Sequence, residues 1–95
     1  MRGDYKTVGG KLVTVNFDVQ GGNLTNVQVS GDFFLYPEEA LGAIRQALEG
    51  LPAASAEQAL AQSVRAALGP EVTLVGFSPE AVAKAVGRGL GRDDQ

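Results

Sequence analysis

Few side chains in this sequence are equipped for bond-making chemistry. Histidine and cysteine are both absent. That removes the imidazole base, the thiolate nucleophile, the disulfide and the zinc–thiolate site. The remaining candidates are carboxylates and lysines. Asp18, Asp32, Glu38 and Glu39 would supply acid–base catalysis only if two of them were held together in an apolar cleft. Asp18 falls on the polar side of an alternating segment, and Glu38-Glu39 open a helix, so solvation or capping is the expected role of these three. Asp32 stands apart. In Gly31-Asp32-Phe33-Phe34 an acid and two aromatics follow a glycine where the chain leaves a strand. Asp32 is expected to accept from nearby backbone N–H groups, as aspartates do in turns. Neighbouring residues in extended chain point opposite ways, so only one of Phe33 and Phe34 should fit a core. The other, with Leu35 and Tyr36, would form an exposed apolar cluster, either structural or a partner surface.

Two glycine clusters suggest phosphate binding and fail on spacing. Gly9-Gly10-Lys11 is followed by Leu12, whereas a phosphate loop needs Gly, four residues, then Gly-Lys-Ser/Thr. Gly87-Arg88-Gly89-Leu90-Gly91 has no strand immediately before it, and reads as a frayed helix end. Arg2, Lys6 and Lys11 make a small basic patch near the start, most simply a solvated surface, the other reading being contact with an acidic partner or a nucleotide phosphate.

The elements that position these residues follow from periodicity. Residues 11–19 alternate, with Val13, Val15, Phe17 and Val19 on one face and Thr14, Asn16 and Asp18 on the other, the pattern of a half-buried strand. Gly21-Gly22 suits a tight hairpin. A second strand over 24–30 follows, with Val27 and Val29 inward. Pro37 is expected at the first position of a helix over 37–49, with Leu41, Ile44, Leu48 and Leu51 forming its apolar stripe. Ser55 and Gln58 have capping-box spacing for a helix over 56–68, with Ala56, Leu60, Val64, Ala67 and Leu68 inward. Val72 to Val75 is β-rich but short, a third strand on the hairpin or an extended connector, and is read as the strand. Ser78-Pro79 opens a helix over 79–90, with Val82, Ala85, Val86 and Leu90 inward. The polar tail from Gly91 is expected to fray.

Ninety-five residues are read as a single domain, 1–95, of the α+β class: a small two-layer fold with an antiparallel hairpin, possibly three-stranded, under about three helices. Hydrophobic residues are 44% and charged residues 20%, ordinary globular usage. A net charge of -3 argues against nucleic acid or anionic lipid as partner. No apolar run reaches the length of a membrane span, and the start lacks a secretory pattern, so a cytoplasmic location is expected.

The stretch from Tyr5-Lys6 through Gly9-Gly10-Lys11-Leu12-Val13, Gly21-Gly22-Asn23-Leu24 and Val27-Gln28-Val29-Ser30-Gly31-Asp32-Phe33-Phe34 resembles the C-terminal, or accessory, domain of lipoate–protein ligases. Pro37-Glu38-Glu39 and Leu48-Glu49-Gly50 continue the pattern. The likeness is good over about residues 5–51. Beyond Pro52 it rests on element order and Val75-Gly76-Phe77-Ser78-Pro79. In that family a larger catalytic domain makes lipoyl-AMP from lipoate and ATP and transfers the lipoyl group to a lysine of an acceptor domain. The accessory domain supports activation and is encoded separately in some organisms.

The resemblance implies a separately made, non-catalytic subunit that binds the catalytic subunit and, through it, meets the acceptor domain. Lipoate, ATP and Mg would belong to the complex, and this chain alone would bind no cofactor or metal. The expected partner-binding residues are Lys6, Lys11, Gly31, Asp32, Phe33, Phe34 and Tyr36. Two other readings are a general interaction or self-assembly module, and a small enzyme using Asp32 and Lys11. The missing histidine and cysteine weigh against the second of these.

Overall fold

The computed structural model describes residues 1–7 and 9–92. Of the tail expected to fray from Gly91, residues 93–95 lie outside the described residues, while Gly91 and Arg92 are held: their N–H groups donate to Arg88 O and Gly87 O, and the Arg92 guanidinium donates to Ala53 O at 2.6 Å. The elements run β1 (Arg2–Lys6), β2 (Leu12–Gln20), β3 (Asn23–Gly31), β4 (Phe34–Tyr36), α1 (Ala40–Leu48), α2 (Glu57–Leu68), β5 (Thr73–Val75) and α3 (Pro79–Gly89). Among the described residues, the chain is an α+β fold with a three-stranded antiparallel sheet, β1-β2-β3, a two-stranded antiparallel sheet, β4-β5, and three helices.

The hairpin forms as its residues require. Gln20 pairs with Asn23, and Gly21 and Gly22 take φ values of 60° and 83°. Two successive positive φ angles match the right-handed twist of the flanking strands. Val13, Val15 and Phe17 of β2 and Leu24, Val27 and Val29 of β3 are buried. Thr14 lies on the outer face yet is buried, and its hydroxyl donates to Asp4 on β1 at 2.7 Å.

A bulge interrupts the ladder. Between the pairs Asn16–Gln28 and Asp18–Thr25, the single residue Phe17 stands against Asn26 and Val27. The freed amides of Asn26 and Val27 donate to the two carboxylate oxygens of Glu49 at 3.0 and 3.1 Å, and Arg45 Nε donates to Val27 O at 3.0 Å. Glu49 and Arg45 thus fasten α1 to the sheet where its own pairing fails. Glu49→Ala leaves two donors without that acceptor. It is expected to cost about 1–2 kcal/mol, read as a lowered urea midpoint.

α1 packs on β3, α3 on β1 and β2, and α2 on both other helices. Ile44, Leu48, Leu60, Val64, Val82, Ala85 and Val86 close the core. Ser78 caps α3, accepting from Ala81 N–H at 3.1 Å, with Pro79 at its first turn.

Several expectations are corrected. The third strand of the main sheet is β1, not the 72–75 segment; Thr73–Val75 pairs instead with β4. The connection from α2 delivers β5 to the short strand that follows Asp32. Pro37 is not the first helical residue. Ala40, Leu41 and Gly42 donate to Pro37, Glu38 and Glu39, three residues back, so a tight turn precedes α1. Glu39 is the N-cap and no acid occupies the first turn. Ser55 and Gln58 make no capping box. Ser55 N–H donates to Pro52 O, and the N-cap falls on Ala56, which has no side-chain acceptor. The buried stripe of α2 is narrower than expected, Leu60, Ala61 and Val64, with Ala56 and Ala67 exposed and Leu68 half-buried. Its neighbours are helices on two sides, not a broad sheet. Leu90 is half-buried, as is Leu41.

The glycine run near the end is not a frayed terminus. Gly87 is buried and Gly89 closes α3. A Cβ on Gly89 would lie 2.7 Å from the Phe17 ring and 3.0 Å from Gly3 N, and one on Gly3 would lie 1.7 Å from Ala85 O. Two glycines therefore let α3 cross β1 backbone to backbone.

Two exposed carboxylates tie elements together. Thr14 and, secondarily, Arg2 hold the Asp4 carboxyl below its ordinary value. Arg65 on α2 does the same for Glu80 on α3. Folded-state values lowered in this way give stability that is present above the unfolded values, 3.8 and 4.5, and lost as pH falls through the lowered ones. The melting temperature is expected to fall as pH drops below about 4. Asp4→Asn with Glu80→Gln should reduce that fall.

Candidate functional site

Six of the seven expected site residues gather at one end of the main sheet, and the seventh, Tyr36, continues from them. Antiparallel pairing places the end of β1, the start of β2 and the end of β3 side by side: Lys6 is opposite Leu12, and Val13 is opposite Gly31. Asp32 Oδ1 accepts from Leu12 N–H at 3.0 Å. Lys11 N–H donates to Gly76 O at 2.8 Å, which draws β5 to the same end. Asp32 thus has the structural role expected of a turn aspartate, and both lysines are exposed.

Gly31 is a close-approach glycine. A Cβ there would meet Leu12 O at 2.2 Å and the Phe33 ring at 2.9 Å. Phe33 is half-buried and stacks on Phe77 with ring centroids 4.0 Å apart. Phe34 is the exposed aromatic. The alternation continues through β4, so Leu35 turns inward and is buried, against the expectation that it joins the exposed cluster.

Phe34 pairs with Val75 and Tyr36 with Thr73 across the two-stranded sheet. Phe34 is 58% exposed, Tyr36 54% and Val75 44%. Three large apolar side chains on one face of a two-stranded ribbon leave it uncovered, where a sheet of that size ordinarily needs a layer against it. Val75 was not anticipated. Its signal is the same period-two pattern, one strand further on.

Beside this ladder runs a groove of about 500 Å³ lined by Val29, Ser30, Gly31, Phe33 to Tyr36, Glu38 and Leu41. It separates the end of β3 from β4 and the entry to α1. Among the described residues, Glu38 is the one charged side chain in its walls.

Asp32 is engaged by backbone, and Lys11 lays its side chain over Gly76. Among the described residues, no group of three or more His, Cys, Asp or Glu side chains converges to hold a metal ion. Also among them, no helix is long and apolar enough to cross a membrane.

No family model matches the chain. Over 39 residues it is 33% identical to Lipoate-protein ligase A subunit 2 of Thermoplasma acidophilum. That match takes in 41% of this chain and 42% of the relative, so less than half of the relative's length is matched. A chain from the solved structure of a bipartite lipoate protein ligase and its E2 lipoyl domain, from the same organism, has the same fold. The TM-score is 0.70 over 90% of this chain and 92% of that one, at 22% identity. The chain is thus similar in sequence, over those 39 residues, to a lipoate–protein ligase subunit, and in fold to a chain of the bipartite ligase structure.

Proposed function

We propose that this chain is the accessory subunit of a two-part lipoate–protein ligase, binding a catalytic subunit and enabling ATP-dependent activation of lipoate to lipoyl-AMP. The observation that carries this reading is the uncovered ladder of Phe34, Tyr36 and Val75, on a fold shared with a chain of a bipartite ligase. An apolar patch of this kind on a small domain suits a protein interface. Lys6 and Lys11, on the same end, would flank the contact.

In this reading lipoate, ATP and Mg belong to the other subunit, as the resemblance to the bipartite ligase implies. What this chain contributes is closure. Activation brings a carboxylate against a triphosphate, and works best with water excluded and loops held in place. A separate cap can supply that and then shift to admit the acceptor domain.

Calorimetric titration of this chain into the purified catalytic subunit tests the docking. A saturable 1:1 complex is expected. Absence of heat and of co-elution on size exclusion, with the chain self-associating instead, would favour a self-assembly module.

A further inference from the structure

The outer edge of β3 is covered along most of its length and then left open. β3 is an edge strand of the main sheet. At its start Leu24 N–H donates to Leu51 O, and Leu24 O accepts from Gly50 N–H. At the bulge, Glu49 and Arg45 take the outward groups of Asn26 and Val27. Among the described residues, the cover ends there.

Strand parity sets the direction of the remaining backbone groups. Along an antiparallel strand, each residue sends its N–H and C=O to the same side, alternating residue by residue. Phe17 N–H donates to Met1 O on the β1 side, so Val15 and Val13 also face β1, while Thr14 and Asn16 bond to β3. Their partners are Ser30 and Gln28. Val29 must therefore direct its N–H and C=O, and Gly31 its N–H, away from the sheet. Both residues line the 500 Å³ groove. An apolar trough whose wall carries free ladder groups is the form that receives an added strand.

We propose that a short extended segment of the catalytic subunit adds to β3 at Val29–Gly31. Its main chain pairs with Val29, one apolar side chain enters the groove against Phe34 and Leu41, and a Lys or Arg faces Glu38. This rests on the reading under Proposed function and deepens it. The charge of the rim selects the occupant. Glu38 lines the groove and exposed Glu39 lies beside it. A second copy of this chain would bring the same acidic rim and another net charge of -3. A basic segment of a different polypeptide removes that repulsion.

The test is amide hydrogen exchange by NMR on this chain, free and saturated with the purified catalytic subunit. Exchange at Val29 and Gly31 is expected to slow at least roughly tenfold. The exposed Gly21 and Gly22 amides, at the far end of the hairpin, serve as the unchanged reference. Two variants accompany it. An amide-to-ester replacement at Val29 removes the outward donor and keeps the side chain. Glu38→Lys reverses the rim charge at an exposed position. Each is expected to weaken the complex by roughly tenfold, about 1.4 kcal/mol.

A complex that forms with exchange at Val29 and Gly31 unchanged would overturn the strand pairing and leave the accessory role standing. No complex at all would overturn both. Slowing that tracks this chain's own concentration, with no second polypeptide present, would make a second copy the occupant and overturn the proposal.

Discussion

Gly3→Ala is expected to destabilise the fold by about 3 kcal/mol, the upper part of the range for overpacking. The new methyl group would sit 1.7 Å from Ala85 O, 2.4 Å from Gly89 N and 2.8 Å from Ala85 C. All three are backbone atoms of α3, so no side chain can swing aside. Either α3 lifts from β1 or β1 peels from β2. Both moves open the core at Phe17 and Val82, which are buried between them. A small domain holds only about 5–15 kcal/mol in total, so this single methyl group removes a large part. With a denaturant slope of about 1 kcal/mol/M in urea, the midpoint should fall by roughly 3 M. Gly42→Ala is the contrast, since a Cβ there meets nothing within 4 Å. An unchanged midpoint for Gly3→Ala would contradict the crossing itself.

Phe34→Asp is expected to weaken binding to the catalytic subunit by about 30-fold or more, in line with loss of an aromatic hot spot of at least 2 kcal/mol. Folding stability should stay within about 0.5 kcal/mol, as for other exposed positions. The paired substitution Phe33→Asp behaves in the opposite way. Phe33 is half-buried and stacks on Phe77, so a charge there breaks the stack and disrupts the fold before binding is tested. Adjacent aromatics with opposite phenotypes are the signature of a strand with one face inward and one face toward a partner. Unchanged affinity for Phe34→Asp would remove the β4-β5 face from the interface.

Much of this was legible in the residues, and the boundary between legible and hidden has physical causes. Alternation over 11–19 and the Gly21-Gly22 turn specify the central hairpin, because period and turn chemistry are local. The same alternation, applied to Phe34, Leu35 and Tyr36, would have placed Leu35 inward and Phe34 and Tyr36 outward. Three residues are too few for the pattern to stand out beside a strand of nine. β1 was missed because Arg2-Gly3-Asp4-Tyr5-Lys6 carries almost no apolar signal. Its inward residue is Gly3, which is buried through backbone contact with α3.

The Gly87–Gly91 run misled for the same reason. Glycine at a helix end ordinarily marks a stop, and only the tertiary partner shows that Gly89 makes room for Phe17. Pairing of β5 with β4 was likewise hidden, since three-residue strands have no register signal of their own. At the candidate site, Gly31, Asp32 and Phe34 stood out through residue type. Val29, Ser30 and Glu38 did not, because their place in the groove depends on how the edge of β3 faces the entry to α1.

Whether this chain is a helper without chemistry of its own is decided by lipoyl-AMP formation from lipoate and ATP, measured with the catalytic subunit alone, with this chain alone, and with both together. The expected result is no product from this chain alone and a rate at least roughly tenfold higher with both subunits than with the catalytic subunit alone. Equal rates with and without this chain, or turnover by this chain unaided, would contradict it.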